Sequence, residues 1–190
     1  MKTLITATLV TVILTILLGI LYPLAMTGIA QLLFPDKANG SLLIVKDSII
    51  GSSLLGQSFG SPKYFHSRPS AAGDGYDPMK SGGSNLGPTS KVLYDRIKHD
   101  ADSLRTLYPE LQGDLPSDML TTSGSGLDPD ITLANALAQA PIVAKANAIP
   151  VGDVKKMIYE KLKGRDLGFL GEERLNVLDL NLTLLEKAIH

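Results

Sequence analysis

From Thr3 to Pro35 the chain carries no charged side chain, and the mixed polar and apolar patterning of a soluble protein begins only after it. Within this stretch Leu4–Leu24, LITATLVTVILTILLGILYPL, is dense in Leu, Ile and Val. As a helix rising ~1.5 Å per residue it would be ~32 Å long, matching a hydrocarbon slab of ~30 Å. The pattern predicts a single-pass, uncleaved membrane helix, with residues 1–35 as the anchor region and 4–24 as its core. A cleaved signal has a shorter apolar run and a small-x-small cleavage site, and Pro23-Leu24-Ala25-Met26-Thr27 is a poor one. A buried soluble helix fits poorly with such a length free of charge.

Two residues interrupt the run. Pro23 removes a backbone donor and is expected to kink the helix or loosen its last turns. Gly19 is either simply tolerated or a close-approach point for a neighbouring helix. Thr6, Thr8, Thr11 and Thr15 either bond across helices or back to their own carbonyls. Lys2 stands before the helix and Lys37 and Lys46 after it, so charge counting leaves the orientation open.

After the anchor, residues 36–190 read as one soluble α+β domain. Asn39-Gly40-Ser41 is a turn, Leu42–Val45 a short strand, Lys46-Asp47 a second turn and Ser48–Gly51 a hairpin partner. Region 51–90 holds 8 Gly, 9 Ser and 4 Pro in 40 residues, a density beyond that of ordinary connectors. Phe59, Tyr64, Phe65 and Tyr76 give this region something to bury and favour order. Ser90–Tyr108 is the clearest soluble helix: Leu93, Ile97, Ala101, Leu104 and Tyr108 share one face and Pro109 stops it. A polar linker, Glu110–Pro116, follows. Asp118–Thr122 reads as a short strand and Ser123–Gly126 as a sharp turn. Asp128 or Thr132 caps a helix running to about Asn147, bent or interrupted at Pro141. Pro150 opens another, with Val151, Val154, Ile158 and Leu162 on one face and Gly164 at its end. Leu175–Leu180 reads as a closing strand and Asn181–Ile189 as a terminal helix.

Composition narrows the chemistry. Beyond Lys2 the chain carries 17 basic and 19 acidic side chains, which gives no general footprint for nucleic acid. The absence of cysteine excludes disulfides, thiolate metal sites, a Cys nucleophile and a lipidated Cys. Trp is absent and aromatics are few, so no base-stacking platform is expected.

The motif search is mostly negative. There is no G-x-x-x-x-G-K-[ST] phosphate loop and no Asp-Lys-Thr-Gly of a P-type pump. Ser81-Gly82-Gly83-Ser84-Asn85 is either a tight glycine turn or a nest of N–H groups for an anion. With His66, His99 and His190 the only histidines, a multi-His metal centre is not expected. His66, within Tyr64-Phe65-His66-Ser67-Arg68-Pro69, reads as a structural His bonding a loop carbonyl. A Ser/His/Asp set lacks its G-x-S-x-G frame. Asp128 and Asp130 lack the calcium-loop ladder, and helix capping accounts for them more simply. The helices around Ile149-Pro150 have the outline of a helix-turn-helix without its basic charge. Asn39-Gly40-Ser41 and Asn181-Leu182-Thr183 match the glycosylation pattern, which is too short to be informative.

Taken in order, the motifs resemble one family, KdpC, the C subunit of the Kdp-type potassium-transporting ATPase. They are Tyr22-Pro23-Leu24, Asn39-Gly40-Ser41-Leu42, Gly51-Ser52, Leu55–Phe59, Tyr64–Ala71, Ser81–Leu86, Thr122–Pro129, Val143–Ala146 and Asn176–Asn181. They span nearly the whole chain. Pro141-Ile142-Val143 departs from the pattern, since relatives often have Arg after the proline.

The resemblance implies a non-catalytic accessory subunit of a high-affinity potassium importer. Its partners would be a channel-like potassium-translocating subunit, a P-type ATPase subunit and a small hydrophobic subunit, beside membrane lipid and with no nucleic acid. It implies one helix in the cell (inner) membrane and a domain outside the cytoplasm. The family is described as a catalytic chaperone raising the ATPase subunit's affinity for ATP. Gln57, Ser81, Gly82, Gly83, Ser84 and Asn85 would be the candidates for direct nucleotide contact. An external domain, however, favours an effect transmitted through the complex, with no firmly bound cofactor. Candidate partner contacts are Thr11, Thr15, Gly19, Tyr22 and Pro23 on the helix and His66 and Arg68 in the domain. The competing readings are an anchored extracytoplasmic binding or sensor domain and an anchored enzyme.

Overall fold

The structure is a computed structural model describing residues 1–45, 47–111 and 113–188, with side chains through Lys187. The turn expected at Lys46 and the helix end expected at Ile189 lie outside the described residues. The chain divides into two compact units, Met1–Ser52 and a second beginning at Ser53.

The first unit opens with α1, Lys2–Leu33, 32 residues. It runs through Pro23 without a break, but Leu17–Leu21 are π-helical, and the Tyr22 N–H reaches back five residues to the Leu17 carbonyl. The cause is local. The proline ring lacks a donor and crowds the carbonyl four residues back, that of Gly19, and the wider turn relieves the crowding. Loosening is therefore the outcome at Pro23. The side chains of α1 are exposed around its whole circumference. Phe34 ends it, and α2, Pro35–Ala38, follows. Ser41 then returns its N–H to the Asp36 carbonyl at 2.8 Å. Strands β1, Leu42–Val45, and β2, Ser48–Ser52, pair antiparallel as expected, with an irregularity between Leu43 and Ile44.

Among the described residues, the second unit is a mixed, mainly helical domain with one small strand pair. Ser53–Ser90 contains neither helix nor strand. It leads into α3, Lys91–Leu107, capped by the Ser90 hydroxyl, which accepts from the Leu93 N–H. As the periodicity predicts, Ala101 is buried and Leu93, Ile97 and Leu104 are half-buried while Lys91, Asp95, Lys98 and Asp102 face outward. The expected strand at Asp118–Thr122 is instead a short helix, α4, Ser117–Leu120. Pro116 before it and Asp118 in its first turn are helix-start signals that outweigh the short apolar run.

Strand β3, Asp130–Ile131, precedes α5, Leu133–Asn147. Thr132, one of the two expected caps, is the one used, accepting from the Asn135 N–H at 3.1 Å. The helix is continuous through Pro141, correcting the possible interruption. A mid-helix proline costs about 3 kcal/mol in exposed hosts. Burial of Ala136, Ala140, Val143 and Ala144 on this helix holds it in place. α5 ends at Ala148, in the left-handed region at φ +55°.

α6, Val151–Lys161, packs beside α5 through Val154, Met157 and Ile158, while Val151 is exposed rather than on the buried face. The expected strand at Leu175–Leu180 is confined to β4, Leu175–Asn176, paired antiparallel with β3. α7 then begins at Val177, four residues earlier than expected, and continues to Ala188. The side chain of Asn176 decides this boundary, accepting from the Asp179 N–H at 3.1 Å as a helix cap. The core is Phe65 packed among Ile131, Val143, Val154, Met157, Ile158, Leu175, Leu180 and Leu184.

Candidate functional site

The site is built on a segment without secondary structure of its own. Along Tyr64–Ser70 the chain forms no helix or strand, so its backbone donors and acceptors need partners when buried. Side-chain amides supply them. Asn181 of α7 accepts from the Phe65 N–H at 2.7 Å and donates to the Phe65 carbonyl at 2.9 Å. Gln139 of α5 does the same for His66, at 2.8 and 3.0 Å. Asn135 holds Gln139 in turn, accepting from its Nε2 at 2.8 Å. Asn147 donates to the Lys63 carbonyl at 2.8 Å. Two consecutive residues are thus paired as in a sheet, with amide side chains standing in for a neighbouring strand.

Arg68 then clasps the next loop. Its guanidinium donates to the carbonyls of Thr121 at 3.4 Å and Thr122 at 3.2 Å, and to Asp128 Oδ2 at 3.2 Å. The Tyr76 hydroxyl donates to the Arg68 carbonyl at 2.6 Å, and its burial raises the Tyr76 pKa. Ser70 Oγ accepts from the N–H groups of Ala72 and Tyr76 and donates to the Gly126 carbonyl at 2.6 Å.

The glycine motifs meet across the same loop. The Gly82 N–H and the Ser81 hydroxyl both donate to the Ser125 carbonyl, at 2.8 and 3.0 Å, and Thr122 bonds Ser84 at 3.3 Å. Gly126 has φ +67°, and a Cβ there would stand 2.6 Å from the Gly82 carbonyl oxygen. Gly56 gives its N–H to the Leu127 carbonyl and lies against Asp128, placing Gln57 beside the same loop. So Gln57, Arg68 and Ser81–Ser84 converge on Thr121–Asp128. Asn85 is exposed beyond them. The helix candidates Thr11, Thr15, Gly19, Tyr22 and Pro23 are all exposed on α1, and Thr15 Cγ2 is the nearest atom a Gly19 Cβ would meet, at 3.9 Å.

Two cavities flank the clasp. One, about 350 Å³, is lined by Arg68, Asp118, Asp128, Asp130 and Arg174. Its three aspartates have partners: Asp118 accepts from the Thr132 N–H and hydroxyl, Asp128 pairs with Arg68, and Asp130 pairs with Arg174 and accepts from Asn176. Neither Asp128 nor Asp130 caps α5, a correction to the capping expectation; Asp128 Oδ1 instead accepts from the Asp130 N–H. Burial, partly offset by Asn176, raises the Asp130 pKa.

The other cavity, about 250 Å³, lies between His66, Ser67 and the helices α3 and α5, with Leu104, Leu107, Leu111, Met119, Ile142 and Val143 as apolar walls. Burial lowers the His66 pKa, and the nearby Ser61 backbone acts the other way.

The structure adds residues the sequence reading passed over. Asn135, Gln139, Asn176 and Asn181 are each at most 4 % exposed, yet nothing in their spacing separates them from surface amides. The glycosylation pattern at Asn181 therefore falls on a core residue. Leu167, Phe169 and Leu170, 83, 69 and 48 % exposed, form an apolar tip interleaved with Gly168 and Gly171, both at positive φ. The run Leu167-Gly168-Phe169-Leu170-Gly171 was the available signal.

A family model described as K+-transporting ATPase, c chain, matches residues 4–186. A Koribacter versatilis protein named potassium-transporting ATPase KdpC subunit is 51 % identical over 184 residues, covering 96 % of this chain and 94 % of its own. Proteins of the same name from Caulobacter vibrioides and Rhodopseudomonas palustris are 53 and 50 % identical, covering 90 and 94 % of this chain and 86 and 94 % of theirs.

Proposed function

The chain belongs to the KdpC family of K+-transporting ATPase c chains, and from that premise we propose that it is a non-catalytic accessory subunit of an ATP-driven potassium importer. In this reading it stabilises and positions a channel-like potassium-translocating subunit, a P-type ATPase subunit and a small hydrophobic subunit. The observation that carries the reading is the relationship along residues 4–186, which includes both the apolar helix and the folded domain.

The physical features fit. A 32-residue helix, apolar all round and exposed all round, belongs in lipid or against other membrane helices rather than in water. Thr11, Thr15, Gly19, Tyr22 and Pro23 are its contact positions, and the helix crosses the cell (inner) membrane once. The domain lies outside the cytoplasm, over the potassium entrance, where Leu167, Phe169 and Leu170 offer an apolar contact surface.

ATP then acts through the ATPase subunit, and the chain holds no cofactor firmly. Gly82 and Ser81 already give their donors to Ser125, so their place is in loop packing. A chaperone effect on ATP affinity is transmitted by differential binding to conformational states of the complex.

Co-expression with the three candidate partners tests the core of this. The chain is expected to co-purify with them in detergent, and a chain that stays monomeric overturns the reading. Sidedness is read with Thr106→Cys, an exposed position in a chain without cysteine. An impermeant thiol reagent should label it in intact cells, and protection there would move the domain inside.

A further inference from the structure

The apolar helix is longer than the membrane it would cross. α1 has 32 residues, and at ~1.5 Å per residue it measures ~48 Å against a hydrocarbon slab of ~30 Å. Tilt does not absorb the excess. Fitting the whole helix inside the slab needs a tilt of ~50°, beyond the ~40° that membrane helices reach, and at ~40° it still spans ~37 Å. More than one turn of α1 therefore stands outside the hydrocarbon, yet from Thr3 to Pro35 no side chain is charged.

The side chains mark which end protrudes. Counted from Leu4, the slab is filled by about residue 24, and there the pattern changes. Ala25, Met26, Ile29, Leu32 and Leu33 fall on one face at helical spacing, with Thr27 and Gln31 on the opposite face, and all seven are exposed. Such a helix turns its polar face to water and needs a cover for the other. Lipid tails end below it. A helix held in the headgroups carries Lys or Arg on its polar face, and Thr27 and Gln31 are uncharged.

The hairpin adds to the same uncharged surface. The Ser41 N–H returns to the Asp36 carbonyl at 2.8 Å and Ser52 Oγ donates to the Gly40 carbonyl at 2.7 Å, which ties the base of β1 and β2 close to the helix end. Ile44 and Ile49 are cross-strand partners, 63 and 64 % exposed, and neither strand carries a charge. A two-stranded hairpin is at best marginally stable alone in water, and its open edges bar it from hydrocarbon. Water and lipid tails are both poor surroundings for this surface, which leaves protein.

We propose that the one-sided end of α1, Ala25–Leu33, together with the hairpin, docks on an apolar, uncharged wall of a partner subunit that rises out of the bilayer. The proposal rests on the reading of this chain as a subunit of a membrane complex. It adds to the contact positions within the slab a second contact at and above the headgroups. A short membrane helix does not reach that height, so the partner is a subunit whose folded mass continues beyond the membrane.

The chain has no cysteine, so single ones report without background. Ile29→Cys and Gln31→Cys, on opposite faces, and Ile49→Cys are made in the full chain, expressed alone and with the partner subunits. Membranes opened to reagent on both sides are treated with a charged maleimide, so the answer does not depend on sidedness. Alone, all three should label. With the partners, Ile29→Cys and Ile49→Cys should label about tenfold more slowly, as for a site about nine-tenths occupied, while Gln31→Cys keeps its rate. Protection of Ile29→Cys in the chain expressed alone means that lipid or the chain's own domain covers it, and overturns the proposal. So does either isoleucine position if it labels equally in both preparations, and so does protection of Gln31→Cys, which would enclose the helix all round. Co-purification of the unmodified chain, followed in parallel, separates the two readings. Partners that co-purify while Ile29→Cys stays open overturn the docking surface alone; partners that do not co-purify overturn the subunit reading and this proposal with it.

Discussion

In α1 the backbone pairs with itself and the side chains are exposed all round; in Ser53–Ser90 the backbone forms no element and other side chains supply its partners. The helix is locally self-sufficient, and what it lacks is a surface to bury against. The segment has its surface buried in places, with Phe65 and Ala72 at 0 % exposure, and what it lacks is a ladder. Asn181, Gln139, Asn147 and Arg68 replace that ladder one residue at a time. The comparison teaches where each region should be sensitive. Substitutions in α1 should register in assembly and hardly in folding, and substitutions at the segment's supports should do the reverse.

The largest effect should come from a pair of glycines, one in α1 and one in the loop that Ser53–Ser90 packs against. Gly126→Val adds a side chain at φ +67° into the space of Gly82 and Ala72 backbone atoms, 2.6 and 2.7 Å away. The cost should be about 3–5 kcal/mol, a large share of the stability of a small domain. Gly19→Ala meets no atom nearer than 3.9 Å and should change folding by about 1 kcal/mol or less. Denaturant unfolding of the full chain in micelles measures both. Similar losses at the two sites would break the comparison.

Asn181→Leu comes next. It keeps the branched shape and the number of heavy atoms but strips the Phe65 N–H and carbonyl of their partners in the core. A loss of about 2–4 kcal/mol is expected, read from the same unfolding curves. A near-neutral variant would mean that the amide ladder is dispensable.

The difference between the two regions also decided what could be read in the sequence. The uncharged run of Leu, Ile and Val is a composition signal many residues long, so α1 was legible, and the periodic faces of α3 and α6 were legible for the same reason. Boundaries set by one side chain were not. Asn176 caps α7 and turns an apparent Leu175–Leu180 strand into helix, because Val-Leu-Asp-Leu alternates whether or not a cap precedes it. Pro116 did the same to Asp118–Thr122. At the site, Arg68, Gln57 and the Ser81–Ser84 run were legible as motifs, but their convergence on Thr121–Asp128 was not. The pairing of Arg68 with the Thr121 and Thr122 carbonyls crosses more than fifty positions of sequence. Gln139 and Asn181 were invisible because a buried amide and an exposed one have the same letter.

Arg68→Lys sharpens the same contrast at smaller scale. A lysine keeps the charge facing Asp128 but cannot hold two carbonyls and a carboxylate together. Since both side chains are more than a quarter exposed, solvent screens the ion pair, and a loss of about 1–2 kcal/mol is expected. Hydrogen exchange should show Thr121–Asp128 opening more often while α5 keeps its protection. Uniform loss across the domain would mean that the clasp is part of the core.

The smallest effect is a pH slope, and it too separates the regions. Between Lys2 and Asp36 there is no Asp, Glu or His, so any slope in the mildly acidic range arises outside α1. Burial holds the His66 pKa below its ordinary 6.5. As pH falls from 6.5 toward the lowered value, the unfolded chain takes up a proton that the folded one refuses. Stability present above 6.5 is therefore lost as pH falls through that window. Asp130 works in the opposite sense. Its folded pKa lies above the ordinary 3.8, so its contribution is present below 3.8 and lost as pH rises through the raised value. The slope of His66 should accordingly be steepest in Asp130→Asn and should flatten when His66→Gln is added, with unfolding followed from neutral pH downward. An unchanged slope in the double variant would assign it to other groups. It would also mean that the His66 imidazole is not held neutral by its burial.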